Sequence, residues 1–135
     1  MKNILIILFV FLITGANAQI YGFKITGMHG HDNRSGKDTD FVIIEEPTYF
    51  TLDLLKSQYI DFDKETHQKR VSSYFDFYSG ESQYDVYISF KIAHTEMVEI
   101  ILDKDKMLLR HHYGLENVVI NYVIDSIKNY TAENN

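Results

Sequence analysis

Apolar and polar residues alternate along most of the chain, which is the pattern of half-buried β-strands. The clearest example is Tyr84 to Ile92, where every second residue is apolar or aromatic. The segment Val71 to Phe77 alternates as well, and turn-forming residues between the two segments predict a hairpin. We expect Phe77 to lie opposite Val86, because a slip of two residues would set two aspartates directly against each other.

The next strand follows after a short turn at residues 94–96. This turn would let Ile92 lie opposite Val98 and would bring Lys91 opposite Glu99 on the outer face. Cross-strand pairs of opposite charge stabilise a sheet, so the charges support this register.

A third hairpin is predicted around Lys104 and Asp105. A tight turn there lets Leu102 face Met107, and the same register puts Glu99 opposite Arg110. It also sends His111 inward. Glu99 would then lie between two cations on the outer face of three consecutive strands.

The rest of the chain contains further strand segments. Val118 to Ile127 partly fits a helical stripe, but its many β-branched residues favour a strand. We predict an all-β fold, an antiparallel meander of about eight strands that forms a small closed or partly open barrel. The alternative is an α+β fold, an open sheet with a C-terminal helix. The other predicted strands are Tyr21 to Met28, Asp40 to Glu46, Tyr49 to Leu55 and Gln58 to Asp63, with Pro47 marking a corner.

The first eighteen residues have the three-part pattern of a secretory signal peptide. A basic start, residues 1–3, precedes an apolar run from Ile4 to Ile13, and Ala16-Asn17-Ala18 favours cleavage before Gln19. The run is shorter than the roughly 20 residues that span a bilayer, so no retained transmembrane segment is expected. We therefore predict a signal peptide, residues 1–18, and one β-rich domain, residues 19–135, exported to the periplasm or the cell exterior.

Composition narrows the possible functions. The chain has no cysteine, so the exported domain must fold without disulfides. A net charge of −6 disfavours nucleic acid as a partner, since its binding depends on neutralising phosphates. No nucleophile elbow, phosphate loop or dinucleotide fingerprint occurs. We expect a non-enzymatic binding or interaction module that needs no cofactor. The alternatives are a structural, envelope-associated protein and an enzyme that uses His111 as a general base.

The best candidate binding residues are Tyr74, Tyr78 and Tyr87, which share the outer face of the first predicted hairpin. Tyrosines on a flat surface can stack on a glycan or a protein partner, although ordinary cross-strand packing would place them there too. A small apolar ligand inside the barrel is the other possibility. Bulky inward side chains would fill a small barrel, which favours the outer surface. The predicted inward residues are Phe75, Phe77, Val86, Ile88, Phe90, Ile92, Ile100 and Leu109.

A histidine-rich segment, His29 to Asp32, lies in a predicted polar loop with Asp38 and Asp40 close behind. Imidazoles and carboxylates could bind a metal ion, but a stable site needs three or four convergent ligands. A flexible loop does not preorganise them. We therefore expect a solvated loop and no metal site.

The order of these parts resembles a group of small exported, β-rich, calycin-like proteins of Gram-negative bacteria. The resemblance implies export and a lipocalin-like barrel, and it implies no activity. The Gly-x-Trp signature of lipocalins is absent, because the chain has no tryptophan. The resemblance depends on Ala18-Gln19, the strand Tyr21 to Ile25, the apolar run Phe41 to Ile44, and the final strands Met107 to Arg110 and Ile120 to Ile124.

Overall fold

The computed structural model describes residues 20–63, 66–80 and 85–130. Within these ranges the protein is all-β, with nine strands and no helix. Accordingly, none of the described residues belongs to a helix long and apolar enough to cross a membrane. The predicted signal peptide, residues 1–18, lies outside the described ranges.

Each strand is antiparallel to its neighbours, which confirms the predicted fold class. Val118 to Ile127, which partly fits a helical stripe, belongs to a strand. The nine strands are β1 (Ile20–Asp32), β2 (Val42–Asp53), β3 (Gln58–Phe62), β4 (Lys69–Ser73), β5 (Phe75–Gly80), β6 (Val86–Ala93), β7 (Glu96–Leu102), β8 (Met107–Tyr113) and β9 (Val118–Asn129).

The sheet has the strand order β4-β3-β2-β1-β9-β8-β7-β6-β5. The first strand pairs with the last, and every other pair consists of strands that are consecutive in the chain. The two edge strands, β4 and β5, are separated by Tyr74 alone, so the sheet must curve until its two edges approach each other at this residue. The result is a nearly closed barrel with one unsealed seam between β4 and β5.

The β7–β8 hairpin has the predicted register. Leu102 pairs with Met107, Glu99 with Arg110, and His111 lies opposite Val98 with its side chain buried. The turn is tight, since the backbone groups of the two residues flanking it, Asp103 and Lys106, bond to each other.

The predicted register between β6 and β7 is wrong. Val98 pairs with Phe90 and Lys91 with Met97, so Lys91 does not lie opposite Glu99. The register shifts between Lys91 and Ala93, and Ala93 then pairs with Glu96. The turn between the two strands is therefore tighter than the sequence indicates. Instead, Lys91 Nζ lies 3.7 Å from Asp76 Oδ2.

The predicted register between β5 and β6 is also wrong. The stretch read as one strand is divided at Tyr74, and a bulge between Phe75 and Tyr78 includes Asp76 with a positive φ of 52°. Tyr78 therefore pairs with Ser89. Phe75 and Phe77 are 39% and 37% exposed and do not belong to the core, contrary to the prediction.

The N-terminal strands are longer than predicted. β1 continues through the segment expected to be a polar loop, and β2 runs without a break through Pro47. The pairing between them is irregular: Ile25 lies opposite Thr48, but Gly27 lies opposite Ile43. One residue of β1 thus faces four residues of β2, so the longer segment of β2 must bow away from β1.

Inward side chains from both halves of the sheet meet in one core. Val86, Ile88, Phe90, Ile100 and Leu109 are buried as predicted, and Ile92 packs against them partly buried. The barrel is filled at this level, because Tyr59 of β3 contacts Phe90 of β6 with ring centroids 5.1 Å apart.

Candidate ligand-binding cavity at the mouth of the barrel

A cavity of about 640 Å³ opens at one end of the barrel, where β2 bows away from β1. We call it the mouth cavity. The chain forms it from β1, β2, β9, the end of β3 and the connection between β3 and β4. Its lining residues are Met28, Val42, Ile44, Glu46, Thr48, Tyr49, Phe50, Phe62, Asp63, His67 and Tyr122.

The inner wall of the mouth cavity is apolar and aromatic. Phe50 meets Tyr122 edge to face, with ring centroids 4.9 Å apart, and Phe62 lies 6.4 Å from Phe50. Met28 and Ile44 pack against the same core and are partly buried. A ligand in the cavity would therefore rest on rings that the core already holds in place.

The acidic and imidazole groups of the mouth cavity come from two segments. Glu46 belongs to the bowed part of β2, while Asp63 and His67 belong to the β3–β4 connection. Asp63 shapes that connection: its Oδ1 accepts from the Thr66 N–H at 2.9 Å, and its carbonyl accepts from the His67 N–H at 2.9 Å. His67 has a positive φ of 59°, a conformation that non-glycine residues rarely adopt.

Tyr122 lines the inner wall, and its hydroxyl is hydrogen-bonded to Tyr113. Burial raises the pKa of Tyr122 to about 12, with a smaller contribution from the negative charge of Asp61. The phenol therefore stays protonated across the physiological range.

A polar cluster with two buried and two partly buried side chains connects β3 and β4 to β7 and β8. Asp61 of β3 and Arg70 of β4 form a bidentate ion pair, with Nε to Oδ1 at 3.0 Å and Nη2 to Oδ2 at 2.9 Å. Arg70 also donates to Glu96 of β7 at 3.3 Å. His111 of β8 donates from Nε2 to Glu96 Oε1 at 3.0 Å, and its Nδ1 lies 3.6 Å from Asp61 Oδ2. We call Asp61, Arg70, Glu96 and His111 the seam cluster.

Neighbouring groups of the seam cluster stabilise the charged forms of Glu96 and Arg70. The hydrogen bond from His111 and the charge of Arg70 hold the pKa of Glu96 below its ordinary value. Hydrogen bonds to Asp61 raise the pKa of Arg70. Tyr113 stacks on His111 with ring centroids 4.1 Å apart.

His111 therefore has the carboxylate neighbours that a general base would need, but it is 1% exposed. Arg70, Glu96 and Tyr113 line a smaller pocket of about 200 Å³, whereas His111 lines neither this pocket nor the mouth cavity. The seam cluster joins β3 and β4 to β7 and β8, which is a structural connection between the two halves of the sheet.

The predicted tyrosine surface is only partly assembled. Tyr78 and Tyr87 lie together on the outer face, with ring centroids 6.2 Å apart, and the Tyr87 hydroxyl donates to Glu99. Tyr74 is separate from them. It packs against the core, 5.3 Å from Phe90, because the chain is divided at this residue between β4 and β5.

The histidine-rich segment belongs to β1 rather than to a loop. His31 Nδ1 lies 2.5 Å from Asp38 Oδ1, so this imidazole is held by one carboxylate. Within residues 20–63, 66–80 and 85–130, no three histidine or acidic side chains are grouped so that they could hold a metal ion.

Several residues of the mouth cavity carry no signal that sequence analysis could have used. Glu46, Asp63 and His67 look like ordinary polar residues near turns, and they converge only because β2 bows and the β3–β4 connection folds beside it. Asp61 lies beside apolar Ile60 and Phe62 and so resembles a solvent-facing residue. The charge complementarity between Asp61 and Arg70 was the one available clue.

No family model, curated protein or solved structure matches this chain. The resemblance to calycin-like exported proteins therefore stays a prediction. The fold and the cavity define the class by themselves: a small antiparallel β-barrel, nearly closed, with a ligand-sized cavity at its mouth.

Proposed function

We propose that this protein is an exported, non-enzymatic binding module that holds a small, largely apolar molecule in the mouth cavity. The volume of about 640 Å³ carries the proposal. It falls within the range of roughly 300–1,000 Å³ that is typical of small-molecule sites. Such sites usually combine apolar walls with a few polar groups, as Phe50, Phe62 and Glu46 do here.

The mouth cavity is a better site than the barrel centre. The centre is filled by contacts such as that between Tyr59 and Phe90. The outer tyrosine surface is weaker support for binding than the sequence indicates, since Tyr74 lies apart from Tyr78 and Tyr87.

Export is supported by the sequence pattern of residues 1–18. Cleavage before Gln19 would leave a single residue ahead of β1, which begins at Ile20. The mature protein would thus keep every strand of the barrel. The absence of cysteine is compatible with an oxidising compartment, because no thiol is exposed to mispairing.

The first test is native mass spectrometry of the protein from Gln19 to Asn135, purified gently from its own host. We expect an additional, constant mass from a bound small molecule. Val42→Trp should abolish this mass, because Val42 is 51% exposed and lines the cavity, so an indole can fill the space without disturbing the core. Ile43→Trp is the matched control: Ile43 is 71% exposed and does not line the cavity.

The same pair of variants can be used with the neutral fluorescent probe N-phenyl-1-naphthylamine. Val42→Trp should weaken probe binding, and Ile43→Trp should not. A clean apo mass together with no probe binding would contradict the proposal, as would equal effects of the two variants.

One observation favours the structural alternative. The strands beside the seam expose apolar side chains of Val71, Phe75, Phe77 and Tyr78, and exposed apolar edge strands promote association. This alternative predicts that molar mass by light scattering rises with protein concentration. It also predicts that Phe75→Lys restores a monomer.

A further inference from the structure

We infer that the ligand of the mouth cavity is an apolar or aromatic molecule that carries a protonated amine. This inference rests on the proposed function, since it names the ligand class of the same site. It is carried by the combination of acidic groups and aromatic rings around one cavity of about 640 Å³.

Among the described residues that line the mouth cavity, the charged groups have one predominant sign. Glu46 and Asp63 contribute two carboxylates, and the described lining residues include no lysine or arginine. His67 is the only titratable base among them. A ligand with a carboxylate, such as a fatty acid, would place like charges together, whereas an ammonium group would be attracted to both acids.

The inner wall suits such a cation as well. Phe50, Phe62 and Tyr122 form its aromatic cluster, and Tyr49 also lines the cavity. A ring attracts a cation placed over its face and also accepts apolar contacts, so the same wall can hold both parts of an aromatic amine. The acidic groups lie on separate segments of the chain, β2 and the β3–β4 connection.

The geometry also sets the orientation of the ligand. Phe50 and Tyr122 belong to the buried core, while Glu46 is exposed to solvent. The apolar part would therefore lie against the inner rings, and the ammonium group would lie at the rim, where it keeps part of its hydration.

The test uses three probes that share one ring system and differ in charge: 1-naphthylmethylamine, 1-naphthylmethanol and 1-naphthylacetate. Binding is followed by naphthalene fluorescence at pH 7 and low salt. We expect the amine to bind about three- to tenfold more tightly than the alcohol, and the acetate to bind most weakly. Added salt should reduce the preference for the amine.

Glu46→Gln removes one carboxylate and keeps the shape of the side chain. It should weaken amine binding about threefold and leave alcohol binding unchanged. Glu45→Gln is the matched control, because Glu45 is the neighbouring exposed residue of β2 and does not line the cavity. Asp63→Asn serves as a second variant, accompanied by a thermal melt because Asp63 also accepts a backbone hydrogen bond from Thr66.

The outcomes distinguish the proposed binding function from the inference about the charge of the ligand. Binding of none of the three probes would contradict the proposed function itself. Binding of all three with equal affinity, or equal effects of Glu46→Gln and Glu45→Gln, would leave a binding cavity but overturn the inference about charge. Tighter binding of the acetate would also overturn it.

Discussion

Asp61 is a carboxylate with only 2% of its side chain exposed, in a barrel core that is otherwise mostly apolar. Burying a carboxylate costs several kcal/mol unless it is paired and hydrogen-bonded. Arg70 meets this need with two hydrogen bonds, and the two residues are direct cross-strand partners of β3 and β4. The ion pair therefore fixes the register of the shortest strands in the sheet.

Asp61→Asn should destabilise the protein strongly, because it removes the bidentate charge partner of the partly buried Arg70 guanidinium and leaves only the longer contact with Glu96. We expect the free energy of unfolding in urea to fall by about 3 kcal/mol. Asp125→Asn is the control, since Asp125 is 54% exposed and lies 3.8 Å from Lys24 in a surface pair. That change should cost less than about 1 kcal/mol. Similar losses for the two variants would contradict a structural role for the seam cluster.

At the scale of single residues, the sequence does not show which face of β3 is buried. Alternation predicts that one face of β3 is buried, but Tyr59 and Asp61 are the fully buried residues, while Ile60 and Phe62 remain partly exposed. An aspartate reads as solvent-facing until its partner is known. The partner, Arg70, is recognisable only once the strands are paired.

Strand elements were predictable where the apolar pattern and the charges favour the same register. In β7 and β8 the register that aligns the mostly apolar inner face also sets Glu99 opposite Arg110 on the other face, and it is the one observed. The region of β4 and β5 has aromatic residues on both faces and a bulge at Asp76, so alternation cannot set its register. The mouth cavity depends on a second irregularity, between β1 and β2, which no local pattern indicates.

Gly114 allows the turn after β8 to pack against the turn after β6. Its N–H donates to the Thr95 carbonyl at 2.6 Å, and a Cβ at this position would lie 2.7 Å from that oxygen. Gly114→Ala should therefore lower the free energy of unfolding by about 1–3 kcal/mol. At Gly30, a Cβ would meet its nearest atom, Thr39 Oγ1, at 3.4 Å. Gly30→Ala should be neutral or slightly stabilising, and equal melting temperatures for the two variants would contradict this account.

The seam should weaken in acid. The hydrogen bond from His111 lowers the pKa of Glu96 below its ordinary value of 4.5. The ionised Glu96 carboxylate therefore contributes its full stabilisation above pH 4.5. The contribution is lost as the pH falls through the lower folded-state pKa. Urea unfolding at pH 7 and pH 3 should show a smaller pH-dependent loss for Glu96→Gln than for the wild type. Glu45→Gln should follow the wild-type curve, and identical curves for all three proteins would contradict the prediction.

For the molecule as a whole, the buried tyrosines predict an alkaline transition. Burial raises the pKa of Tyr21 and of Tyr122 from 10.0 to about 12. The unfolded chain ionises first, so stability is complete below pH 10 and falls as the pH rises from 10 to 12. Each such tyrosine lowers stability by about 1.4 kcal/mol per pH unit in that window.

Absorbance at 295 nm and circular dichroism, measured in parallel, would check this transition. We expect tyrosine ionisation to occur in two phases, with the second phase coinciding with loss of β-structure. Gradual ionisation of all the tyrosines near pH 10, with the sheet intact, would show that the barrel admits solvent to its core.

The position of the seam has a consequence for connectivity. β1 and β9 pair along their length, and the Tyr130 N–H donates to the Ile20 carbonyl at 2.9 Å, so the two ends of the barrel's chain adjoin. A circular permutant that links residue 130 to residue 20 and opens at Tyr74 would keep every strand pair. Its strands would then follow one another along the chain in the order that they have in the sheet, from β5 to β4. The pairing of β1 with β9, which is the most distant in the parent sequence, would become a local hairpin. Such a chain has a lower contact order and should fold faster than its parent.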